Sequence, residues 1–345
     1  VSDKQMKTLP KVLLSRTAPS DWETSRLALE GSFYLSEAYA GVLAAQGCEP
    51  VFLVWRNDTQ VQGMALGFLT DQWRGWPIRL FVRNFRWQTH PVVRGRDHDR
   101  WTDFVKAILK RIESLRVMAI TLGSEDAREN PEVGDFSDFT AIRRWEFRVA
   151  LDADPAMVLG RIAARKRTYL RAALKASQLI VREMRDIESV HRLIDFQHVS
   201  RERRRARGED YAVATARSAE MIFENYVKKG YGRVFCSFRD NQPLSGVLLH
   251  CDGRSAYYTM SGCSAEGFQS NAPLITVWKA IEMLCSDGYR ELNMGGVGAS
   301  ASDPADIGHG LYRFKRSFGG SEVACVSLER EVPGIQAYLA RRFVE

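Results

Sequence analysis

No apolar run in this sequence approaches the roughly 20 residues that a membrane-spanning helix needs; "VMAITLG" (117–123) is only strand-sized. The opening residues, "VSDKQMKTLPKVLL", hold too short an apolar core for a secretory signal, so a cytoplasmic location is expected. Cysteine is sparse as well. Cys48, Cys236, Cys251, Cys263, Cys285 and Cys325 form no CxxC pair and have no histidine spacing suited to zinc. Most sit in apolar segments, where a free thiol packs as a small core residue, so neither disulfides nor a metal is expected. No nucleophile elbow, P-loop or paired-carboxylate arrangement stands out, and "NMGGVG" (293–298) is a lone glycine cluster, weak as a phosphate loop.

Lysine is scarce beside arginine, 11 against 38, and arginine is the side chain suited to forked contacts with phosphate. The net charge is +7, yet residues 161–207 alone hold 14 Lys/Arg against 5 Asp/Glu, which leaves the rest of the chain slightly acidic. A cationic region so localised points to a phosphate-rich partner; a solvated basic helix is the plainer alternative. With 45% hydrophobic and 26% charged residues the composition is that of an ordinary globular protein. Its 345 residues exceed the roughly 250–300 at which one core stops growing. Two domains are therefore expected, 1–150 and 151–345.

The first half reads as a helix (32–46), a hairpin (50–69) turning at Asn57-Asp58, a strand (77–88), a helix (100–116) and the strand 117–123. A strand beginning at 144 then ends in the turn that marks the boundary. The second half reads as a basic helix (156–177), a strand (178–184) and helices near 186–206 and 215–229. Antiparallel strands follow over 232–264, with turns at "RDNQP" and "CDG", then a helix (271–288), a strand (290–296) and a last strand (322–328). In each half, helices lead into an antiparallel hairpin, a crossover helix and one more strand. The order resembles that of GNAT-type acyltransferases. The expected fold class is α/β (α+β): two tandem GNAT-like domains, each a mixed, mostly antiparallel sheet flanked by helices.

Before the last strand lies "GHGLYRFKRSFGG" (308–320), in which Tyr312, Phe314 and Phe318 sit among Arg313, Lys315 and Arg316. A lysine held between Phe314 and Phe318, with Gly319 and Gly320 permitting close backbone approach, suits a water-poor site that stabilises a developing oxyanion. The plainer alternative is a basic amphipathic turn whose lysine reaches out to solvent.

Together, "RKRTYLRAALKASQLIVRE" (165–183), "YYTMSGCSAEGFQSNAPLITVWKAIE", "ELNMGGV" and "GLYRFKRSFGG" resemble the Fem aminoacyltransferases over roughly residues 160–330. These are tandem GNAT-like proteins that use aminoacyl-tRNA to add amino acids to peptidoglycan precursors, with relatives in antibiotic biosynthesis. The first half matches weakly, through "SFYLSEAYA" and its hairpin. The resemblance implies that Lys315 stabilises charge at the reacting ester, with Phe314 beside it. It also implies that Arg217 and Tyr257 or Tyr258 contact a nucleotide-linked acceptor, with Asn293 and Arg313 as further substrate contacts. Two departures bear on that acceptor. Met221 stands where a tyrosine is expected one turn after Arg217, and Asn293-Met294-Gly295-Gly296 replaces an Asp-x-x-Gly segment. No cofactor is implied.

Two basic clusters suit a polyanionic donor. On a helical wheel Arg161, Arg165, Arg167, Arg171 and Lys175 form one stripe. Ile162, Tyr169, Leu170, Ala173 and Leu174 form a buried side into which Lys166 intrudes. Farther on, "RERRRAR" (201–207) offers Arg203, Arg204 and Arg205. Such contacts to tRNA phosphate, or to the diphosphate of an acceptor, weaken as salt rises. Histidines His198 and His309 are expected to be ordinary, and no general base stands out; positioning of a neutral amine can supply most of the acceleration. The function expected is transfer of an amino acid from aminoacyl-tRNA to an amine of a small-molecule or cell-wall-precursor acceptor. An acyl-CoA-dependent N-acyltransferase is the alternative, although "SAEGFQSNAP" (264–273) has one glycine and no basic residue where a pyrophosphate loop belongs. A non-enzymatic RNA-binding module is the third reading.

Overall fold

The computed structural model describes residues 9–71, 83–115, 117–206, 208 and 216–332. The chain runs β1 (Val12–Ser15), α1 (Trp22–Ala28), α2 (Glu37–Ala45), β2 (Glu49–Asn57), β3 (Gln60–Asp71), β4 (Arg83–Trp87), β5 (Val92–Val93), α3 (His98–Glu113) and β6 (Ala119–Leu122). It continues through β7 (Thr140–Ala150), α4 (Pro155–Arg161), α5 (Ala164–Ala176), β8 (Ile180–Met184), α6 (Ile187–Arg205) and α7 (Ala216–Ile222). Then come β9 (Gly232–Arg239), β10 (Gln242–Asp252), β11 (Ser255–Cys263), α8 (Ala265–Gln269), α9 (Ala272–Ser286), β12 (Glu291–Gly298), α10 (His309–Arg316) and β13 (Ser321–Glu331).

Two compact units result: residues 1–143 with 325–345, and residues 144–324. The division differs from the sequence-based boundary, because 144–150 sits in the second unit and the segment from Cys325 returns to the first. The chain crosses between units within β7 and again within β13. The first unit orders its strands β1-β2-β3-β4-β6-β13, with β5 beside β3. All neighbours there are antiparallel except β4 and β6. The second unit orders them β8-β9-β10-β11-β12-β7, antiparallel except β11 and β12. Each parallel pair needs a crossover helix, supplied by α3 and α9 respectively.

Local chemistry explains these elements. Helix α3 starts at Asp97, whose side chain accepts the Arg100 N–H, and carries Lys110 and Arg111 in its last turn. Trp101, Phe104, Val105, Ile108 and Ile112 recur at helical spacing and bury against the first unit's sheet. Helix α9 opens with Pro273 in its first turn and buries Ile275, Trp278, Ile281 and Leu284 in the second core. Turns at Asp58 and at Asp240-Asn241 adopt the left-handed conformation that tight hairpins require.

The expected basic helix over 156–177 is two helices. Ile162 is extended where they meet, and its side chain is buried. A Cβ on Gly319, at φ +76°, would come within 3.0 Å of the Arg161 carbonyl oxygen, so the break lies against that glycine. The sequence stretch 308–320 folds mainly as helix α10 rather than as a turn. The expected helix 32–46 is a short 3-10 turn (Phe33–Leu35) followed by α2. The expected strand 77–88 is described only from Arg83 onward.

Candidate active site

The site is built around an irregularity in β12. The pairing of β12 with β7 shifts register between Asn293 and Gly296, the signature of a β-bulge. Gly295 has φ +69°, and its N–H donates to Asn293 Oδ1 at 2.9 Å. A Cβ there would lie 2.9 Å from the Tyr258 carbonyl oxygen and 3.3 Å from Lys315 Nζ. At Gly296 a Cβ would meet the Arg144 guanidinium at 2.6 Å. The glycine pair therefore makes room for two cations. It serves packing around Lys315 rather than a phosphate loop.

Lys315 comes to the bulge from α10. Tyr312 anchors that helix: its ring packs edge-on to Phe147 at 5.3 Å, and its hydroxyl donates to Glu322 at 2.8 Å. Lys315 is only 6% exposed. Its Nζ donates to the Gly296 carbonyl at 3.0 Å and lies 5.3 Å from the centre of the Tyr258 ring, a cation–π distance. The phenyl rings of Phe314 and Phe318 do not sandwich it. They pack edge-on against each other at 5.3 Å, so the aromatic wall of the ammonium is Tyr258. Burial pushes the Lys315 ammonium down to about 7; nearby Arg144 and Arg204 add to this and Glu146 opposes it.

Glu146 was missed by sequence reasoning. It is fully buried on β7 and pairs with Arg144. Tyr257 donates to its Oε1 at 3.2 Å, Asn293 Nδ2 to its Oε2 at 2.7 Å, and Arg148 stands 3.9 Å away. Arg148 also pairs with Glu291 at 3.6 Å. The signal was present: Arg144, Glu146 and Arg148 alternate along one strand, so all three share a face.

Two cavities meet at Phe314. One, of about 370 Å³, is walled by Arg203, Arg204, Tyr258, Ser261 and Leu311 among others. The second, of about 400 Å³, is walled by Lys166, Tyr169, Asn271, Leu274 and Arg313. Phe268, Gly310 and Phe314 line both. Arg203 stacks over Phe268 with its guanidinium carbon 3.9 Å from the ring centre. Tyr169, expected to be buried, is 48% exposed and donates its hydroxyl to Asn271 Oδ1 at 2.6 Å. Lys166 lines a cavity instead of intruding into a core.

The other expected residues fall into three groups. Tyr257, Tyr258 and Asn293 are buried around the bulge. On α5, Arg165, Arg171 and Lys175 are exposed, whereas Arg167 donates to the Gly160 carbonyl at 2.8 Å. Arg161 lies on α4, donates to the Ala150 carbonyl at 2.8 Å and faces Asp152 at 3.6 Å, so the break before α5 removes it from the stripe. Arg205 is exposed near the end of α6. Arg217 lies in α7, and its side chain is outside the described residues. His309 Nδ1 bonds the Ala301 carbonyl at 3.0 Å, and His198 is exposed. All six cysteines are free thiols. In the first unit, ligand-type atoms of His98, Glu132 and Asp135 lie within 4.8 Å of one another; His98 and Thr102 each reach Asp135 Oδ2 at 3.3 Å. Among the described residues no helix is long and apolar enough to cross a membrane.

The family model for an acetyltransferase (GNAT) domain matches residues 161–316. Comparison with curated proteins gives no match. Among solved structures, FemX superposes with a TM-score of 0.72 at 12% identity, covering 97% of this chain and 99% of its own. L-PGS from Bacillus licheniformis gives 0.53 at 12% identity and 99% of both chains. A tandem GNAT protein from the clavulanic acid biosynthesis pathway gives 0.51 at 12% identity, over 94% and 100%. At such identities the likeness establishes fold. The chain thus has the two-unit, GNAT-like fold of FemX, and residues 161–316 match the acetyltransferase (GNAT) domain model.

Proposed function

We propose that the second unit transfers an aminoacyl group from aminoacyl-tRNA to an amine of a small-molecule or cell-wall-precursor acceptor. The observation that carries this reading is Lys315: a buried ammonium seated on a glycine bulge, against Tyr258, which lines a cavity together with Arg203 and Arg204. Ester aminolysis passes through a tetrahedral oxyanion, and a fixed cation in a dry site stabilises it far better than water does. Arg203 and Arg204 suit donor phosphates, and the exposed Arg165, Arg171 and Lys175 add a solvated grip on a polyanion. The fold shared with FemX supports the same reading. Phe314 lines both cavities, so one can take the donor end and the other the acceptor on either side of its ring.

A second reading uses acyl-CoA. The matched family model is that of an acetyltransferase, and Asn271 gives its side-chain oxygen to Tyr169 instead of capping α9, so that helix N-terminus is open to an anion. The deciding experiment incubates the protein with charged tRNA and candidate amines, with and without RNase, beside a parallel reaction with acetyl-CoA. RNase should abolish turnover. Turnover that survives RNase, or that needs acetyl-CoA, would replace the first reading with the second.

A further inference from the structure

Amide formation needs a neutral amine, and an acceptor amine is an ammonium at neutral pH. Some group must take its proton. We propose that Lys315 is that group: its neutral amine removes a proton from the acceptor ammonium before the resulting lysine ammonium faces the oxyanion. The inference rests on the acyl-transfer reading of the second unit, but not on which donor is used.

The geometry around Nζ favours an uncharged amine. Its recorded hydrogen bond goes to a neutral acceptor, the Gly296 carbonyl at 3.0 Å. From β7, the Arg144 guanidinium abuts Gly296 where Nζ abuts Gly295, and from α6 the Arg204 cation adds its repulsion. Glu146 is the opposing carboxylate, and it is engaged by Arg144, Tyr257 and Asn293. From β11 come Tyr257 and Tyr258; burial holds the Tyr258 hydroxyl up at about 12, so it stays neutral. Farther along β7 and β12, Arg148 and Glu291 pair with each other. On α10 itself Arg313 is exposed, Arg316 pairs with Glu322, and His309 is tied to Ala301. A lysine that is nine-tenths buried, flanked by two arginines and with its nearest carboxylate already occupied, loses its proton readily. The value of about 7 agrees with this placement.

The bookkeeping of atoms closes. The acceptor R–NH3⁺ gives one proton to Lys315 Nζ and becomes R–NH2. The amine lone pair attacks the donor carbonyl carbon; the C=O π pair moves to oxygen, now opposite a lysine ammonium. Collapse re-forms C=O and breaks the bond to the leaving oxygen (sulfur for a thioester), which takes the second amine proton. Lys315 then releases its proton to water, so the net reaction liberates one proton. The same nitrogen serves first as base and then as electrostatic stabiliser.

Two measurements on the full-length protein test this. The first follows Lys315 by NMR of isotope-labelled lysine across pH 5 to 10, assigned through its loss in Lys315→Arg. A midpoint near 7, moved upward in Arg204→Met, is expected; a midpoint above 9 overturns the inference. The second compares wild type with Lys315→Arg, which keeps the charge but cannot accept a proton. With ethanolamine as acceptor probe the variant should be slower by about 100-fold or more. With hydroxylamine, already neutral at pH 7, the loss should shrink below about 10-fold. Equal losses with both probes would reduce Lys315 to an electrostatic role and leave the acyl-transfer reading intact. Absence of transfer from both charged tRNA and acetyl-CoA would instead remove that reading, and this inference with it.

Discussion

The two units share one strand plan and treat its parallel pair in opposite ways. In the first unit, Asn84–Trp87 runs beside Ala119–Leu122, and Gly123 follows the strand. A Cβ there would strike the Trp87 and Gln88 carbonyls at 2.8 and 2.6 Å. The core of this unit holds Trp87, Trp101, Phe104, Phe136 and Phe139. In the second unit, Ser255–Tyr257 runs beside Glu291–Asn293, and the strand bulges at Gly295-Gly296. What a Cβ would strike there includes the ends of Lys315 and Arg144. Glycine marks close approach in both: Gly123 meets two backbone carbonyls and the Glu125 carboxylate beside an aromatic core, whereas Gly295 and Gly296 meet the ends of two basic side chains. A core of the first kind adds stability; one of the second kind costs stability and gains chemistry.

That contrast can be broken by mutation. Trp101→Ala in the first unit should cost about 3–5 kcal/mol of unfolding free energy by urea titration; a loss under about 1 kcal/mol would mean the aromatic cluster does not hold that unit. Glu146→Ala in the second unit should be comparably damaging, since it strands Arg144 in a buried site. Lys315→Met should behave in the reverse sense. It should lower kcat by roughly 10²–10³-fold, about 2.7–4 kcal/mol of transition-state stabilisation, without lowering the melting temperature. A melting temperature that fell as in Trp101→Ala would place Lys315 among the packing residues.

Titration sharpens the same comparison. Lys315 has a folded-state value of about 7 against an unfolded value of about 10.4. Between those two values the unfolded chain binds the extra proton, so stability of the second unit rises with pH. In the first unit, burial lifts Glu129 to about 7 from an unfolded value of about 4.3. There the folded state binds the extra proton, and stability falls as pH rises through that window. Urea midpoints at pH 5, 7 and 9 should therefore dip near pH 7. Lys315→Met should flatten the upper arm and Glu129→Gln the lower; two unaltered arms would show that neither group titrates as placed. The smallest effect belongs to the exposed helix α5. Arg171→Ala should change stability by less than about 0.5 kcal/mol while making the log-affinity for tRNA less salt-dependent by about one contact, as measured by filter binding over a salt series.

Much of this arrangement was legible from local pattern. Alternating apolar residues at 50–69 and 232–264, turns at Asn57-Asp58 and "RDNQP", and the stripe of α3 are all encoded within a dozen neighbours. Lys315 could be singled out chiefly because the aromatic–lysine stretch between glycines resembles the Fem signature. Its true wall could not, since Tyr258 lies 57 positions away and reaches it only through the pairing of β11 with β12. Glu146 was overlooked for the same reason. Its partner Asn293 is 147 residues distant, and only the register of β7 against β12 brings them together. The glycines of "NMGGVG" carry a conformational demand that sequence displays, but the two cations causing it come from separate elements. Tyr169 was misjudged because the buried side of α5 is narrower than the wheel implied, with Leu170 its one buried residue.

Strand β13 has a consequence for the order in which the chain matures. Leu328 pairs with Leu122, so the earlier-made unit lacks its last strand until the ribosome has passed residue 331. The later-made unit has β7 to β12 once residue 298 emerges, with α10 and the first residues of β13 still to come. Vectorial synthesis therefore lets the sheet of the second unit pair β7 to β12 first, while the half translated before it waits with an unsealed border at β6, a site open to pairing with foreign strands. A polypeptide ending at residue 320 should show this directly, with protease resistance over 144–300 and ready cleavage around 117–124.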